Sequence, residues 1–203
     1  MAFFFSTVIV AIAAFFIGSI PFGLLIAKTF CGIDPRLDGS RNVGATNISR
    51  LCGFKWGLLT LVCDVLKGFL PVFIFAVSSS GLHNLAYPAG LAAICGHMFS
   101  VFLNYKGGKG VATTVGVFLA LSPWTLILAG LACLFTIWRT GFVSAGSLVL
   151  VSALPILFLV QGSWGNVWFS LVIAGLVIYA HRENIRRLLR GEEKPWLASK
   201  KAG

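Results

Sequence analysis

Charged residues are scarce in this chain of 203 residues: Asp, Glu, Lys and Arg make up 11% of it, whereas 58% of its residues are hydrophobic. Soluble globular proteins average about 25% charged and about 45–50% apolar residues. The shortage of charge therefore excludes an ordinary soluble enzyme, and the surplus of apolar residues excludes an intrinsically disordered chain. The composition predicts an all-α, polytopic integral membrane protein.

Acidic residues are the rarest charged group, with 6 Asp and Glu against 16 Lys and Arg and a net charge of +10. Proteins bind Mg²⁺ through carboxylates, and Asp34 and Asp38 lack a further acidic neighbour in their loop, so we predict no metal site. The chain has no Gly-x-Ser-x-Gly turn, which leaves an acyl-serine intermediate without support. The five cysteines form no Cys-x-x-Cys pair, and nothing in the sequence suggests a cofactor.

Seven apolar segments are candidates for membrane spans, for which about 20 residues are needed to cross about 30 Å of hydrocarbon. The fourth and fifth are short, and the Ser122-Pro123 pair between them fits either a turn or a kink in one long helix. No repeat or second domain is visible, so residues 1–203 are predicted to form a single membrane-embedded domain. The segments are Phe3–Ala27, Phe54–Val77, Leu85–Leu103, Val111–Leu121, Trp124–Trp138, Phe142–Val160 and Val167–Ala180.

The placement of the basic residues distinguishes a turn at Ser122-Pro123, which gives seven spans, from a kink in one long helix, which gives six. With seven spans, the three connections on one side (Ser78–Asn84, Ser122-Pro123 and Gln161–Asn166) hold no charged residue. The opposite side takes 15 of the 16 Lys and Arg residues, and only Lys67 lies inside a span. Cytoplasmic loops carry the excess of basic residues in membrane proteins. We therefore expect seven transmembrane helices, with the N-terminus outside and the C-terminus in the cytoplasm.

The first polar segment on the basic side is Gly39–Arg50. Its small hydroxyl and amide residues alternate with glycines, a composition that allows backbone N–H groups to line an anion site. Arg50 adds a planar guanidinium that suits phosphate. A surface loop with helix-capping Ser, Thr and Asn residues would have the same composition.

The second polar segment is Tyr105–Thr114, in which three glycines surround Lys109 at the start of a predicted helix. Close backbone approach, a helix N-terminus and an ammonium group together are typical of a phosphate site. The segment does not match a P-loop, because Leu103 stands where the first glycine is required and Gly110 replaces the Ser or Thr. A flexible turn with a basic residue placed by topology is the alternative.

The third polar segment is Ala180–Glu193. If it continues as a helix, His181 and Asn184 share one face and are candidate active-site residues, although a purely structural histidine is also consistent with the pattern. A second face is predicted to contact lipid headgroups. Its three arginines are Arg182, Arg186 and Arg190.

Two charges lie within the second span, at Asp64 and Lys67. Charged residues inside a membrane are functional candidates by default, and each of these is the obvious partner of the other. A structural ion pair and a catalytic role are both open, as they are for His97 in the third span. That histidine could face the site or bond to a neighbouring helix.

Together these segments resemble the signature motifs of the bacterial acyl-phosphate:glycerol-3-phosphate acyltransferases, the PlsY family. Arg41 departs from the pattern, since the family often has glycine there. The resemblance implies transfer of an acyl group from acyl phosphate to the 1-hydroxyl of sn-glycerol 3-phosphate, giving lysophosphatidic acid and phosphate for phospholipid biosynthesis. The residues that carry it are Gly39–Arg50, Gly96-His97 with Lys106–Thr113, His181–Gly191, Gly18–Gly23 and Asp64–Gly68.

The resemblance also implies where the site lies and what it contacts. The active site is expected to face the cytoplasm from a bacterial inner membrane, with membrane lipids around it, no nucleic acid and no obligate protein partner. Lys109, His181 and Arg50 are the expected catalytic residues, and either His181 or a phosphate oxygen of the substrate serves as general base. Substrate binding is expected at Ser40, Asn42, Thr46, Asn47, Arg50, Gly107, Gly108, Lys109, Gly110, His181 and Asn184.

A transporter or exchanger of an anionic phosphorylated metabolite is the main alternative, because a basic recess between helices would serve it equally well. Transporters commonly show internal repeats and polar groups through the span. This sequence shows no repeat and no charge on the side opposite the basic loops, which favours the enzyme.

Overall fold

The structure of the chain is a computed structural model that describes residues 2–77 and 82–196. The regular structure of these residues is helical. These ranges contain ten α-helices, two short 3₁₀ turns and no strand, so the predicted all-α class is confirmed. Lys200 and Lys201, which the topology prediction counts, and residues 78–81 of one connection lie outside the described residues. The helices are α1 Ala2–Ser19, α2 Phe22–Cys31, α3 Ala45–Cys52, α4 Phe54–Ala76, α5 Ala86–Met98, α6 Val111–Leu121, α7 Pro123–Thr140, α8 Val143–Val160, α9 Trp164–Ala180 and α10 Arg182–Leu189.

The chain divides into two compact units, residues 1–123 and 124–203. In the first unit, α1 packs on α5, and α4 packs on α3, α5 and α6. In the second unit, α8 packs on α9, and α10 contacts both of them. The expectation of a single domain is not tested by this division and stays a prediction.

Five helical segments are long and apolar enough to cross a membrane. A sixth span is possible if α9 and α10, which meet at an angle of 63°, count as one bent segment. Helix α6 is apolar but has only 11 residues. The chain is therefore a helical integral membrane protein with five or six candidate spans among the described residues, and the count of seven stays a prediction. The five segments are Phe4–Cys31, Phe54–Ala76, Ala86–Leu103, Pro123–Thr140 and Val143–Val160.

Glycines bring the helices of the first unit into close contact, two at the crossing of α1 with α5 and two at the crossing of α4 with α6. A Cβ atom at any of these positions would overlap a backbone oxygen of the facing helix. Small residues at crossings allow helices in membranes to approach closely, because association there depends on packing and not on expulsion of water. The contacts are Gly18 on Ala93, Gly96 on Phe15, Gly68 on Thr113 and Gly116 on Val65.

The first candidate span is interrupted at Ile20 and Pro21, between α1 and α2. Proline lacks the N–H group that would continue the helical ladder. At this break the carbonyl of Ile20 accepts hydrogen bonds from the Phe22 N–H and from the Lys67 ammonium of α4, both at 3.1 Å. The break in α1–α2 therefore supplies an acceptor for a charge inside the membrane.

We expect Gly68→Ala to destabilise the protein, because the new Cβ would overlap the Thr113 carbonyl, a backbone atom that cannot rotate away. Overpacking of this kind costs about 1–3 kcal/mol. The melting temperature of the protein in detergent should fall accordingly. Gly175→Ala in α9 is the matched control, since nothing lies within 4 Å of its Cβ position. An equal loss in both variants would contradict this account of the crossing.

Candidate active site

The first loop, residues 32–44, is organised around the side chain of Asn47 on α3. Its Nδ2 donates to the carbonyls of Pro35 at 3.0 Å, Asp38 at 3.3 Å and Asn42 at 2.9 Å. Its Oδ1 accepts from the backbone N–H of Ser40 at 2.9 Å. Asn47 is only 2% exposed. One buried amide therefore sets the path of the loop by four hydrogen bonds.

The other predicted residues of this segment lie on the loop and on α3. Ser40 and Arg50 are exposed, and Thr46 is half-buried. The Oδ1 of Asn42 accepts from the N–H of Gly44 at 2.8 Å, which shapes the turn into α3. Asn42 and Asn47 thus hold the loop in shape, and direct contact of their side chains with a substrate stays a prediction.

An ion pair lies at the start of the same loop. The guanidinium of Arg36 donates to both carboxylate oxygens of Asp34, at 2.9 Å from Nε and 2.6 Å from Nη2. The hydrogen bond from Arg36 lowers the pKa of Asp34 to about 2, and the same contact raises the pKa of Arg36. The Asp34 carboxylate is therefore paired with Arg36 of the same loop.

The glycine loop, residues 107–110, folds back on the end of α5. The backbone N–H of Gly107 donates to the Met98 carbonyl and that of Gly108 to the His97 carbonyl, both at 3.0 Å. Gly110 has a φ of +84° and caps the N-terminus of α6, a conformation that residues with a Cβ rarely adopt. Lys109, which lies between Gly108 and Gly110, is half-buried.

These hydrogen bonds bear on the predicted phosphate contact of the glycine loop. Because the N–H groups of Gly107 and Gly108 already donate within the protein, the Lys109 ammonium and the first turn of α6 are the better candidates for contact with an anion. The first N–H groups of a helix have no partner inside the helix and lie at its positive end. Backbone contact of Gly107 and Gly108 with a substrate stays a prediction.

A buried ion pair lies beneath the two loops. Lys67 Nζ is 2.8 Å from Asp64 Oδ1, and both side chains are 3% exposed, so the two charges of α4 are partners as the sequence suggested. The Nδ1 atom of His97 lies 3.7 Å from the same carboxylate oxygen. Beside this group, Ser100 Oγ donates to the Ser19 carbonyl at 2.6 Å and ties α1 to the segment after α5.

In the second unit, His181 lies at the bend between α9 and α10. Its Nδ1 is 2.8 Å from the carbonyl of Val177, and His181 is 3% exposed. A carbonyl can only accept, so the proton of the neutral imidazole is on Nδ1. The other ring nitrogen, Nε2, then carries the lone pair that a general base requires.

Glu193 is the centre of a hydrogen-bond network that sequence reasoning missed. Its Oε1 accepts from Asn184 Nδ2 at 2.6 Å and from Ser144 Oγ at 2.7 Å, and its Oε2 pairs with Arg187 Nε at 2.6 Å. Burial by itself would raise the pKa of this carboxyl, but the three donors outweigh burial and lower it. The scarcity of acidic residues was the available signal, because Glu193 is one of only 6 in the chain.

The structure thus groups the predicted residues within each unit. In the first unit, Ser40 and Asn42 are linked through Asn47, Thr46 and Arg50 lie on the same helix as Asn47, and the residues of the glycine loop lie between α5 and α6. In the second unit, His181 and Asn184 flank the start of α10, and Ser144, Arg187 and Glu193 join them as residues that were not predicted.

Apolar spanning helices and polar loops with lysine, arginine and glycine define an integral membrane protein with candidate phosphate-binding segments. The sequence profile described as glycerol-3-phosphate acyltransferase matches residues 8–191. The chain belongs to the glycerol-3-phosphate acyltransferase family, as the motifs implied.

Curated relatives with the name glycerol-3-phosphate acyltransferase match most of the chain. The protein from Nitratidesulfovibrio vulgaris is 60% identical over 185 residues, which are 90% of this chain and 56% of that protein. The one from Desulfovibrio desulfuricans is 53% identical and covers 94% of this chain and 85% of its own. The one from Lawsonia intracellularis is 52% identical, with 91% and 93% covered. The chain therefore spans about half the length of the first relative and most of the other two.

Two crystal structures of PlsY, described as an integral membrane glycerol 3-phosphate acyltransferase, have the same fold. The glycerol 3-phosphate form is 43% identical, with a TM-score of 0.88 over 94% of this chain and 95% of that one. The lysophosphatidic acid form is 42% identical, with a TM-score of 0.85 over the same shares.

We expect Glu193→Gln to destabilise the protein near neutral pH by about 1–3 kcal/mol, the usual cost of losing hydrogen bonds to a charged group. The folded-state pKa of Glu193 lies below its ordinary value of 4.5, so the stabilisation is complete above pH 4.5 and is lost as the pH falls through the lowered pKa. The difference in melting temperature between wild type and variant should therefore shrink in acid.

Glu192→Gln is the matched control, because Glu192 is the exposed neighbour of Glu193. It removes the same charge without touching the network, and its melting curves should follow those of the wild type at each pH. A Glu193→Gln variant with a constant deficit down to about pH 3 would contradict the role given to the ionised carboxylate.

Proposed function

We propose that this chain transfers a fatty acyl group from acyl phosphate to the 1-hydroxyl of sn-glycerol 3-phosphate, producing lysophosphatidic acid and inorganic phosphate. The family match over residues 8–191 is the observation that carries the proposal. The related crystal structures are described in glycerol 3-phosphate and lysophosphatidic acid forms, the acceptor and the product of such a reaction.

The residue inventory supports acyl phosphate as the donor. Acyl phosphate is a mixed anhydride and is already activated, so no covalent acyl-enzyme is needed, and the chain has no serine motif that would form one. Both substrates carry phosphate, and the polar loops offer Lys, Arg and helix N-terminal donors. Catalysis then consists of holding two anions with the hydroxyl aimed at the carbonyl carbon.

Residue roles follow from the family motifs. Ser40, Arg50, Lys109, His181 and Asn184 hold the phosphate of glycerol 3-phosphate in this proposal. The acyl phosphate head group contacts Thr46, Asn47, the glycine loop and the first turn of α6, with Lys109 contacting both phosphates.

Two general bases fit the reaction. One is His181, whose hydrogen bond to the Val177 carbonyl places the proton of the neutral imidazole on Nδ1 and the basic lone pair on Nε2. The other is an oxygen of a substrate phosphate, with a second pKa of about 6. The position of the proton on Nδ1 supports the first without excluding the second.

We infer the topology from the placement of charge together with the helices. Seven spans result if the five long segments, α9 and α6 all cross, with the N-terminus outside and the active site at the cytoplasmic face of a bacterial inner membrane. At about 1.5 Å per residue, α6 is about 16 Å long, so the glycine loop before it starts within the depth of the membrane. Membrane lipids surround the apolar faces, and the proposal requires no obligate protein partner.

Purified protein in detergent is expected to release phosphate from acyl phosphate only when glycerol 3-phosphate is present. Lys109→Ala and Arg50→Ala should each lower kcat/KM by at least about 100-fold, because each removes a charge-assisted contact to a substrate anion. The measurement is phosphate release together with detection of lysophosphatidic acid by mass spectrometry. An anion transporter would show exchange in vesicles but no lysophosphatidic acid.

Lys106→Ala is the matched control for Lys109→Ala, since Lys106 is an exposed lysine just before the glycine loop. It should keep wild-type activity, and full turnover by Lys109→Ala or Arg50→Ala would disprove the site. His181→Ala separates the two bases: loss of kcat supports the imidazole, whereas a raised KM with the maximal rate preserved supports the substrate phosphate.

The topology is tested with single cysteines placed in a cysteine-free background and labelled by a membrane-impermeant maleimide. With seven spans, Gln161→Cys should be labelled from the outside of intact spheroplasts and Lys106→Cys only after the membrane is opened. If α6 did not cross, Gln161 would change sides and would be protected in intact cells. Labelling of position 161 therefore distinguishes seven spans from six.

A further inference from the structure

The side chain of His97 occupies the space beside the α-carbon of Gly108. A Cβ atom on Gly108 would overlap the imidazole Nε2 and would lie 2.8 Å from Cε1 and 3.0 Å from Cδ2. Every atom in that close set belongs to the imidazole ring. The imidazole of His97 therefore fills the space that a side chain at residue 108 would need.

At the neighbouring Gly107, the atoms that would block a side chain belong to the backbone. A Cβ atom there would overlap the backbone carbonyl oxygen of His97 and lie 2.8 Å from that of Met98. These two carbonyls also accept the hydrogen bonds that hold the glycine loop against α5. The atoms nearest to a Cβ are thus backbone atoms at Gly107, whereas at Gly108 the three nearest belong to one side chain, which a substitution can remove.

The imidazole is also confined on its other side. Its Nδ1 lies 3.7 Å from Asp64 Oδ1, the oxygen that pairs with Lys67 at 2.8 Å. Lys67 is itself tied to the Ile20 carbonyl at 3.1 Å. His97 therefore stands between a fixed, buried ion pair and the glycine loop, and its side chain is 5% exposed.

We propose that His97 is a positioning residue that sets the place of the glycine loop, and that Gly108 is required because the imidazole fills the space where a side chain would be. The loop carries Lys109 and leads into the N-terminus of α6, so its place determines where these groups meet a phosphate. This kinetic consequence rests on the proposed function, whereas the packing relation between His97 and Gly108 does not.

A double-mutant cycle tests the proposal with Gly108→Ala, His97→Ala and the pair combined. Gly108→Ala should raise KM for acyl phosphate about tenfold or more, because the methyl group forces the loop away from the imidazole. Removing the ring makes room, so the combined variant should lie within about threefold of His97→Ala alone. A merely structural role would lower the amount of folded enzyme and kcat without this KM pattern.

The matched cycle uses Gly107→Ala with His97→Ala. The blocking atoms at Gly107 are backbone carbonyls, so loss of the imidazole should not restore this variant. The proposal would be overturned if the KM increases of Gly108→Ala and His97→Ala simply multiplied in the combined variant. It would also be overturned if His97→Ala restored the KM of Gly107→Ala as fully as that of Gly108→Ala.

The same variants are compared by melting temperature in detergent, a readout that needs no substrate. The combined Gly108→Ala and His97→Ala variant should melt higher than the sum of the two single losses predicts. If Gly108→Ala does not accumulate, recovery of folded protein in the combined variant supports the proposal, and failure to recover while His97→Ala folds overturns it. If the wild-type protein showed no turnover, the proposed function would be wrong. The melting-temperature cycle would then still decide whether the His97 ring and residue 108 compete for the same space.

Discussion

The ion pair between Asp64 and Lys67 is the interaction on which the arrangement of the first unit depends. Two charges inside a membrane are tolerated only when they are paired and hydrogen-bonded, and here the pair also reaches the Ile20 carbonyl and the ring of His97. It thereby connects α4 with the break between α1 and α2 and with the end of α5. The glycine loop rests on that end, so a contact buried in the helices bears on the position of Lys109.

The polar loops are held in shape by hydrogen bonds among their own polar groups. Asn47 makes four hydrogen bonds within the first loop, and Glu193 gathers three donors around its carboxylate. Fixed donors and cations stabilise developing charge better than mobile ones, since no reorganisation is needed during the reaction. In this chain with few charged residues, Glu193 thus shares a network with Arg187, Asn184 and Ser144, and Asp64 is paired with Lys67.

Several elements were predictable from sequence, and the exceptions share a cause. The apolar segments, the separation of α6 from α7 near Ser122 and the pairing of Asp64 with Lys67 follow from composition, proline and spacing along one helix. The short helix α3 is not predictable in this way, because its Ser, Thr and Asn residues suit a loop as well as a helix. Glu193 was missed because it lies beyond the end of α10, where helical spacing does not relate it to Asn184 and Arg187, and because its third partner, Ser144, lies 49 positions away.

The sequence by itself determined the class of protein, the places where the chain is apolar, the three polar segments and the family, because hydropathy, glycine content and motif spacing are local properties. Apart from the Asp64–Lys67 pair, which the spacing along one helix already indicated, only the tertiary structure decided what the polar residues contact. It assigned the Asn47 amide to the first loop, the Gly107 and Gly108 amides to carbonyls of α5, and the His97 ring to the space beside Gly108. The contacts of Gly107, Gly108 and His97 join residues on different elements, and these elements come together because glycines allow the helices of the first unit to pack closely.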